Sequence, residues 1–381
     1  MGEMAASSRK RESGRRRRRC AAASLAVAMA VLCVAACTGG TSSGGSAPGQ
    51  HGATIIPKSE IKIAIIPGGP NVYFAPWGLA AQALSKQLGV TVSAVVPPTS
   101  TYDPSIQVST IDALVAKGYN AFAVFPDGES AIIPAYQQLI DKGIPVFDLA
   151  GCTADPTPAL LCYATNVQAS ASYETQVLEQ AMGGRGQIAF LTGLLTDANT
   201  ALRADGVKQA VAASGGAVTL AQTVSNIDSP SAAPPAVQSL LASKGSILNG
   251  MLSTDYYPSV AAASILSTNP QSHHIEFIGE DNSSTVMTAI QEDHIYGTMY
   301  QNAYGQAIVA GTWLYDILAK GCTVNPNGPF TPIPGPTRRF INSGYMFVSQ
   351  STVGQFIGKP ESIPSNTAQV LAETSKFLSC P

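Results

Sequence analysis

Residues 61–97 read IKIAIIPGGPNVYFAPWGLAAQALSKQLGVTVSAVVP. The opening IKIAIIP is a nearly continuous apolar run, the pattern of a strand buried on both faces of a parallel sheet. Gly68-Gly69-Pro70 stops it. Between 74 and 88, Leu79, Ala83, Leu84 and Leu88 fall at helical spacing and predict a helix. VTVSAVVP (90–97) is a second strand. The stretch is therefore one β-α-β unit, with Asn71, Tyr73, Phe74 and Trp77 placed where the first strand ends.

The alternation continues along the chain. A helix over 105–117 stops at Gly118, AFAVFP (121–126) is a strand, a helix over 130–142 stops at Gly143, and IPVFDLA (144–150) is a strand. The pattern then starts again. Helices over 168–182, 199–214, 233–244 and 256–268 alternate with strands over 187–193, 218–225, 246–253 and 274–281. A helix over 283–292, a strand over 296–301 and a long helix over 303–320 follow. Residues 322–338 are Pro-rich and irregular, 340–349 read as one late strand, and 367–378 as a terminal helix. This order predicts an α/β fold of two doubly wound, Rossmann-like lobes, each a parallel sheet covered by helices on both faces.

The chain has 381 residues, 45% of them apolar and only 12% charged, enough to bury a core. Residues 9–19 hold a basic block and 21–36 an apolar run of sixteen, shorter than the about 20 residues a membrane span needs. A basic region, an apolar region and small residues make a secretory signal. Val34-Ala35-Ala36-Cys37 resembles the bacterial lipoprotein lipobox. That resemblance implies cleavage before Cys37, its palmitate-type acylation, and anchoring to the extracytoplasmic face of the cell membrane. Residues 37–58 read as a Gly/Ser-rich tether. The Arg run also allows export by the twin-arginine route. Without the signal, Lys plus Arg falls from 22 to 14 and Asp plus Glu from 24 to 22, leaving a net charge near −8. Such an acidic body argues against nucleic acid as a partner.

Of seven cysteines, Cys152, Cys162, Cys322 and Cys380 remain in the exported body. In an oxidising compartment they suggest two disulfides, Cys152–Cys162 locally and Cys322–Cys380 by elimination, with free buried thiols as the alternative. No Cys-x2–4-Cys spacing supports zinc. The histidines, His51, His273, His274 and His294, are not spaced to share a metal, and neither metal nor cofactor is expected. No GxSxG, P-loop, HExxH or CxxC motif is present, so no catalytic residue is assigned and the chain is not read as an enzyme.

Polar groups gather instead at the carboxyl ends of strands, where open α/β sheets bind ligands. They include Asn71, Asp127, Asp148, Asp197, Asn199, Thr254-Asp255, Glu280-Asp281-Asn282 and Gln301, with Arg203 one turn beyond Asn199. Gly68-Gly69 would let backbone approach a ligand closely.

From about residue 61 to 348 the chain resembles the type I periplasmic binding proteins, most closely their ribose/galactose sugar-binding group. Asn71-Val72-Tyr73-Phe74 is similar to the family's Asn-Pro-Phe-Phe, and Arg203-Ala204-Asp205-Gly206-Val207 to its Arg-x-x-Gly-Phe. Thr254-Asp255 stands where the family has Asn-Asp. Ile278-Gly279-Glu280-Asp281 is similar to Val-Gly-Phe-Asp, and Gln301 to a late cleft glutamine. The segments 121–127 and 143–146 also match. The resemblance implies a sugar-like ligand held by Asn71, Tyr73, Phe74, Asp148, Arg203, Thr254, Asp255, Asp281 and Gln301. Where the sugar binders carry Asp-Arg, this chain has Ala150-Gly151, with Asp148 on the same face of the strand.

The resemblance further implies a monomeric solute-binding lipoprotein of an ABC importer, partnered by a membrane permease. A sensing receptor, or a non-sugar solute such as an amino acid or nucleoside, are its alternatives. The implied lobes are 59–165 plus 302–340 and 166–301 plus 341–381. Three hinge crossings are expected, near Thr165-Asn166, Gln301-Asn302 and Phe340–Asn342.

Overall fold

The computed structural model describes residues 55–98, 102–331, 339–356 and 366–381, all within one unit. The signal segment and Cys37 lie outside the described residues. In chain order come β1 (Lys62–Ile66), α1 (Ala75–Leu88), β2 (Thr91–Ala94), α2 (Pro104–Ala116), β3 (Ala121–Val124), α3 (Ile133–Asp141), β4 (Val146–Leu149) and β5 (Cys162–Ala164). The chain then crosses to α4 (Val167–Ala181), β6 (Gly186–Leu191), α5 (Ala198–Ala213), β7 (Val218–Val224), α6 (Ala233–Lys244), β8 (Gly250–Ser253), α7 (Tyr256–Thr268), β9 (Glu276–Glu280), α8 (Ser284–Gln291) and β10 (Gly297–Gln301). It returns through α9 (Ala303–Lys320), β11 (Thr323–Val324) and β12 (Phe340–Asn342), and crosses again to β13 (Tyr345–Ser349) and α10 (Gln350–Val353). The tail holds α11 (Thr367–Ala372), α12 (Thr374–Phe377) and β14 (Leu378–Ser379).

Two six-stranded sheets result, ordered β12-β5-β4-β3-β1-β2 and β13-β10-β9-β8-β6-β7. All neighbours in them are parallel except β10 and β13. Each sheet is buried on both faces. In the first, α1 and α9 cover one face around Trp77 and Trp313, and α2 and α3 cover the other. In the second, α6, α7 and α8 face α4 and α5 across the strands. This double burial is why the strands read as apolar runs rather than alternating ones.

Helices start where side chains satisfy the first free N–H groups. Asp103 accepts from Ser105 and Ile106 ahead of α2, Asp197 from Asn199 ahead of α5, and Asp255 from Tyr256 ahead of α7. These caps follow strand ends, so capping also delivers carboxylates to the rim of each sheet.

The structure corrects three expectations. The late strand read over 340–349 is two strands, β12 in the first sheet and β13 in the second. The chain passes between them at Gly344, whose φ of 85° suits glycine. The tail assigned to the second lobe packs on the first. Trp313 Nε1 donates to Thr374 Oγ1 at 2.9 Å, Phe377 packs against the Trp313 ring, and β14 pairs with β11. A Cys322–Cys380 disulfide fixes this arrangement, and Cys152–Cys162 closes the loop before β5. The tether expected to reach residue 58 is already docked at Ile56, whose N–H donates to Leu318 O at 2.9 Å.

The three crossings meet in one buried polar knot. Gln306 Nε2 donates to Ser343 Oγ at 3.0 Å, Thr165 Oγ1 lies 3.1 Å from Ser343 Oγ, and Asn342 Oδ1 accepts from Asn166 N at 3.0 Å. Asn366 ties the tail into it, donating to Asn342 O at 2.7 Å.

Candidate functional site

Between the carboxyl ends of the two sheets lies a narrow, partly open cavity. Its two walls differ in chemistry. The first sheet supplies aromatic rings from Tyr73, Phe74, Tyr102 and Phe125. Phe74 and Phe125 pack edge-on with centroids 5.3 Å apart, and Tyr102 follows at 5.4 Å from Phe125. The second supplies Asp197, Asn199, Arg203, Thr254, Asp255 and Asp281, with Gln301 at the crossing.

Eight of the expected site residues line this cavity: Asn71, Tyr73, Phe74, Arg203, Thr254, Asp255, Asp281 and Gln301. Asp148 does not. Ala150 adopts a left-handed φ of 62°, which breaks the strand alternation on which its placement relied. Asp148 stays buried and turns inward, its Oδ2 accepting from Thr153 N at 2.8 Å and Thr153 Oγ1 at 2.6 Å. It shapes the disulfide loop rather than the cavity. Trp77 is fully buried and belongs to the core, stacking edge-on against Phe74. The glycine reading also changes. A Cβ on Gly68 would lie 2.6 Å from the Tyr102 ring and 2.7 Å from the Phe125 ring. Gly68 thus makes room for two aromatic side chains rather than for a ligand.

Among the described residues, two direct bridges join the lobes across the cavity. Asn71 Nδ2 donates to Asp228 Oδ2 at 3.0 Å and Oδ1 at 3.2 Å, while its Oδ1 accepts from Tyr73 N at 2.9 Å. Asn199 Nδ2 donates to the Ala150 carbonyl at 3.1 Å. Asn71 is therefore occupied by protein partners. Tyr73 donates through its hydroxyl to Gln306 Oε1 at 3.0 Å, linking the aromatic wall to the polar knot.

Arg203 and Asp281 differ from these. Among the described residues the Arg203 guanidinium, 8% exposed, makes no hydrogen bond or ion pair, and the Asp281 carboxylate accepts none. Asp281 is nevertheless held firmly. Its N–H donates to Met299 O at 2.7 Å, its carbonyl accepts from Thr298 Oγ1 at 2.8 Å, and its φ is 66°. A non-glycine residue keeps that conformation only where its surroundings over-determine it. Behind it, Gln301 Nε2 donates to Glu280 Oε1 at 2.9 Å, and Glu174 is fully buried near Glu280.

The electrostatics follow from crowding acids around one cation. Burial opposes the Arg203 charge, but Glu280, Asp255, Asp197 and Asp281 hold its pKa above the usual arginine value. Burial pushes Asp281 up to about 7 against the pull of Arg203. Burial and the neighbouring Asp255 raise Asp228 to about 9. Burial raises Asp197 to about 6, Asp148 to about 7 and Asp127 to about 8. These carboxyls ionise near pH 4 when unfolded. Between about pH 4 and the folded values of about 7 to 9, the fold binds more protons than the unfolded chain. Stability therefore falls as pH rises through that window. Calorimetry of the ligand-free protein should give a Tm at pH 9 about 5 °C or more below that at pH 5. A flat or rising profile would contradict the burial of these acids.

The profile of the periplasmic binding protein domain matches residues 63–321. The chain belongs to this family. Its fold is that of a type I periplasmic binding protein. A "Xylitol-binding protein" of Mycolicibacterium smegmatis is 27% identical over 240 residues, covering 62% of this chain and 66% of that relative's length. A solute-binding protein of an ABC transporter from Burkholderia graminis, solved with D-arabinose, superposes with a TM-score of 0.69 at 18% identity, covering 79% of this chain and 99% of that one. One from Actinobacillus succinogenes with bound D-allose gives 0.68 at 18% identity, covering 78% and 100%.

Tyr102, Phe125, Ala150, Asp197 and Asn199 complete the lining of the periplasmic-binding-protein cleft beyond the expected set. Asp197 and Asn199 were visible as polar residues after a strand. Tyr102 and Phe125 carried no such signal; both rings pack over Gly68, where any side chain would displace them. Among the described residues no group of three His, Cys, Asp or Glu is arranged to hold a metal ion. Among them, no helix is long and apolar enough to cross a membrane.

Proposed function

We propose that this chain is the extracytoplasmic solute-binding component of an ABC importer, taking a small polyhydroxylated ligand, a pentitol or monosaccharide, between its lobes. The division of the cavity carries the reading. A carbohydrate has C–H faces that suit aromatic rings and hydroxyl edges that suit ionised groups. Here four rings stand on one side, and Arg203 and Asp281, without protein partners among the described residues, stand on the other. Asp281 can accept from two hydroxyls while Arg203 donates a rigid fork. The xylitol, D-arabinose and D-allose of the relatives support the same class.

The mechanism is closure about the three crossings. The Asn71–Asp228 and Asn199–Ala150 bridges join residues of opposite lobes, so they favour the closed state. The chain binds and does not catalyse. It acts as a monomer and hands its cargo to a membrane permease that supplies the energy coupling. Acylated Cys37 anchors it outside the cell membrane. Cys37→Ser should release the protein from the membrane fraction, and its retention there would refute the anchor.

A thermal-shift screen tests the ligand class. A ligand at 100 times its Kd adds about 2.7 kcal/mol of stability, so xylitol or a monosaccharide should raise the Tm measurably. A panel in which only amino acids or nucleosides raise it would refute the carbohydrate reading.

A further inference from the structure

The inner cavity does not end the space between the lobes. Tyr73, Asp281 and Gln301 also line a second, larger hollow of about 420 Å³ that opens toward solvent. One of its walls is apolar, formed by Val72, Pro76 and Leu79 around the start of α1. Val72 and Leu79 are 43% and 49% exposed, so this wall offers apolar surface to the hollow. The opposite wall is polar, formed by Asn282 and Ser284 at the start of α8, with Tyr256 at the start of α7. The floor is the crossing itself, where Tyr300 and Gln301 are each 3% exposed.

We propose that this outer hollow is a second subsite, and that the preferred ligand is a two-unit carbohydrate, a disaccharide or glycosyl-alditol. One unit lies in the inner cavity and the second lies outside it, past Tyr73 and Asp281. The proposal rests on the carbohydrate reading of the inner cavity and extends it.

Three observations favour this occupant. The hollow adjoins the inner cavity, Tyr73, Asp281 and Gln301 lining both, so a ligand reaching past these side chains would enter it. Its volume lies within the about 300–1,000 Å³ of small-molecule pockets. Its walls repeat the inner division of apolar against polar, which matches the C–H face and hydroxyl edge of a second sugar ring. A protein partner would have to reach the buried crossing at Gln301 to fill it, whereas a ligand already held by Asp281 is there.

Isothermal titration of the purified protein tests it, comparing xylitol, D-arabinose and D-allose with xylobiose, xylobiitol and maltitol. The expected result is a two-unit ligand that binds at least about tenfold tighter than any single unit, a difference of about 1.4 kcal/mol. Leu79→Asp and Tyr256→Ala should each remove that gain and leave single-unit affinity unchanged, which also shows that the variants fold. Single units binding as tightly as every two-unit ligand would overturn the second subsite while leaving the inner site standing. A gain that survives both substitutions would overturn it too. No binding by either class would overturn both readings together.

Discussion

Arg203→Ala is expected to weaken carbohydrate binding by about 100-fold or more, since hydrogen bonds to charged groups contribute about 1.5–3 kcal/mol each and the guanidinium offers more than one. The loss should appear in isothermal titration as a higher Kd. A second effect is independent of ligand. Arg203 pulls down the pKa values of Asp281, Asp255 and Asp197. Without it they rise further above their unfolded values, so the window in which folding binds protons extends to higher pH. The variant's Tm deficit should therefore widen from pH 5 to pH 9. Arg203→Lys separates the two roles. It keeps the charge, and with it most of the high-pH stability, but loses the rigid fork and most of the binding. A variant that binds normally would remove Arg203 from the site.

Gly206→Ala is expected to cost about 3 kcal/mol or more, because it overpacks a contact made by backbone rather than by a yielding side chain. A Cβ there would run into the Gln168 carbonyl oxygen and lie 3.0 Å from Ser172 N. The helices α4 and α5 approach at this point, and α5 carries Arg203 one turn earlier. Parting them would displace the guanidinium, so ligand affinity should fall along with a Tm drop of about 5–10 °C. Gly78→Ala is the control. Nothing lies within 4 Å of the added methyl in α1. Within a helix that change should leave the protein as stable or more stable by about 0.5–1 kcal/mol. Equal effects at the two positions would contradict the packing argument.

The landmark Arg203-x-x-Gly206 thus has a physical basis. The glycine permits the helix contact that presents the arginine. That kind of feature was legible in sequence because the α/β alternation fixed which helix follows which strand. Strand ends and caps then placed Asn71, Asp197, Asp255 and Asp281 at the rim. What was not legible depends on local backbone or on short paired segments. β5 has three residues and is held by a disulfide loop. The left-handed turn at Ala150 cannot be read from a strand pattern, and it removed Asp148 from the cleft. Gly344 hid a sheet change inside what reads as one strand. The expected Cys322–Cys380 pair already tied the tail to the end of α9, but Phe377 packing on Trp313, a contact far apart in sequence, is what seats it on the first lobe.

The central claim is that the cleft binds one polyhydroxylated molecule through Arg203 and Asp281. Isothermal titration of the wild-type protein and of Asp281→Ala with the same carbohydrate tests it most directly. The account predicts a saturable one-to-one isotherm for the wild type and no measurable heat of binding for the variant. Equal affinity in the two proteins, or no binding by the wild type to any polyol, monosaccharide or disaccharide, would contradict it.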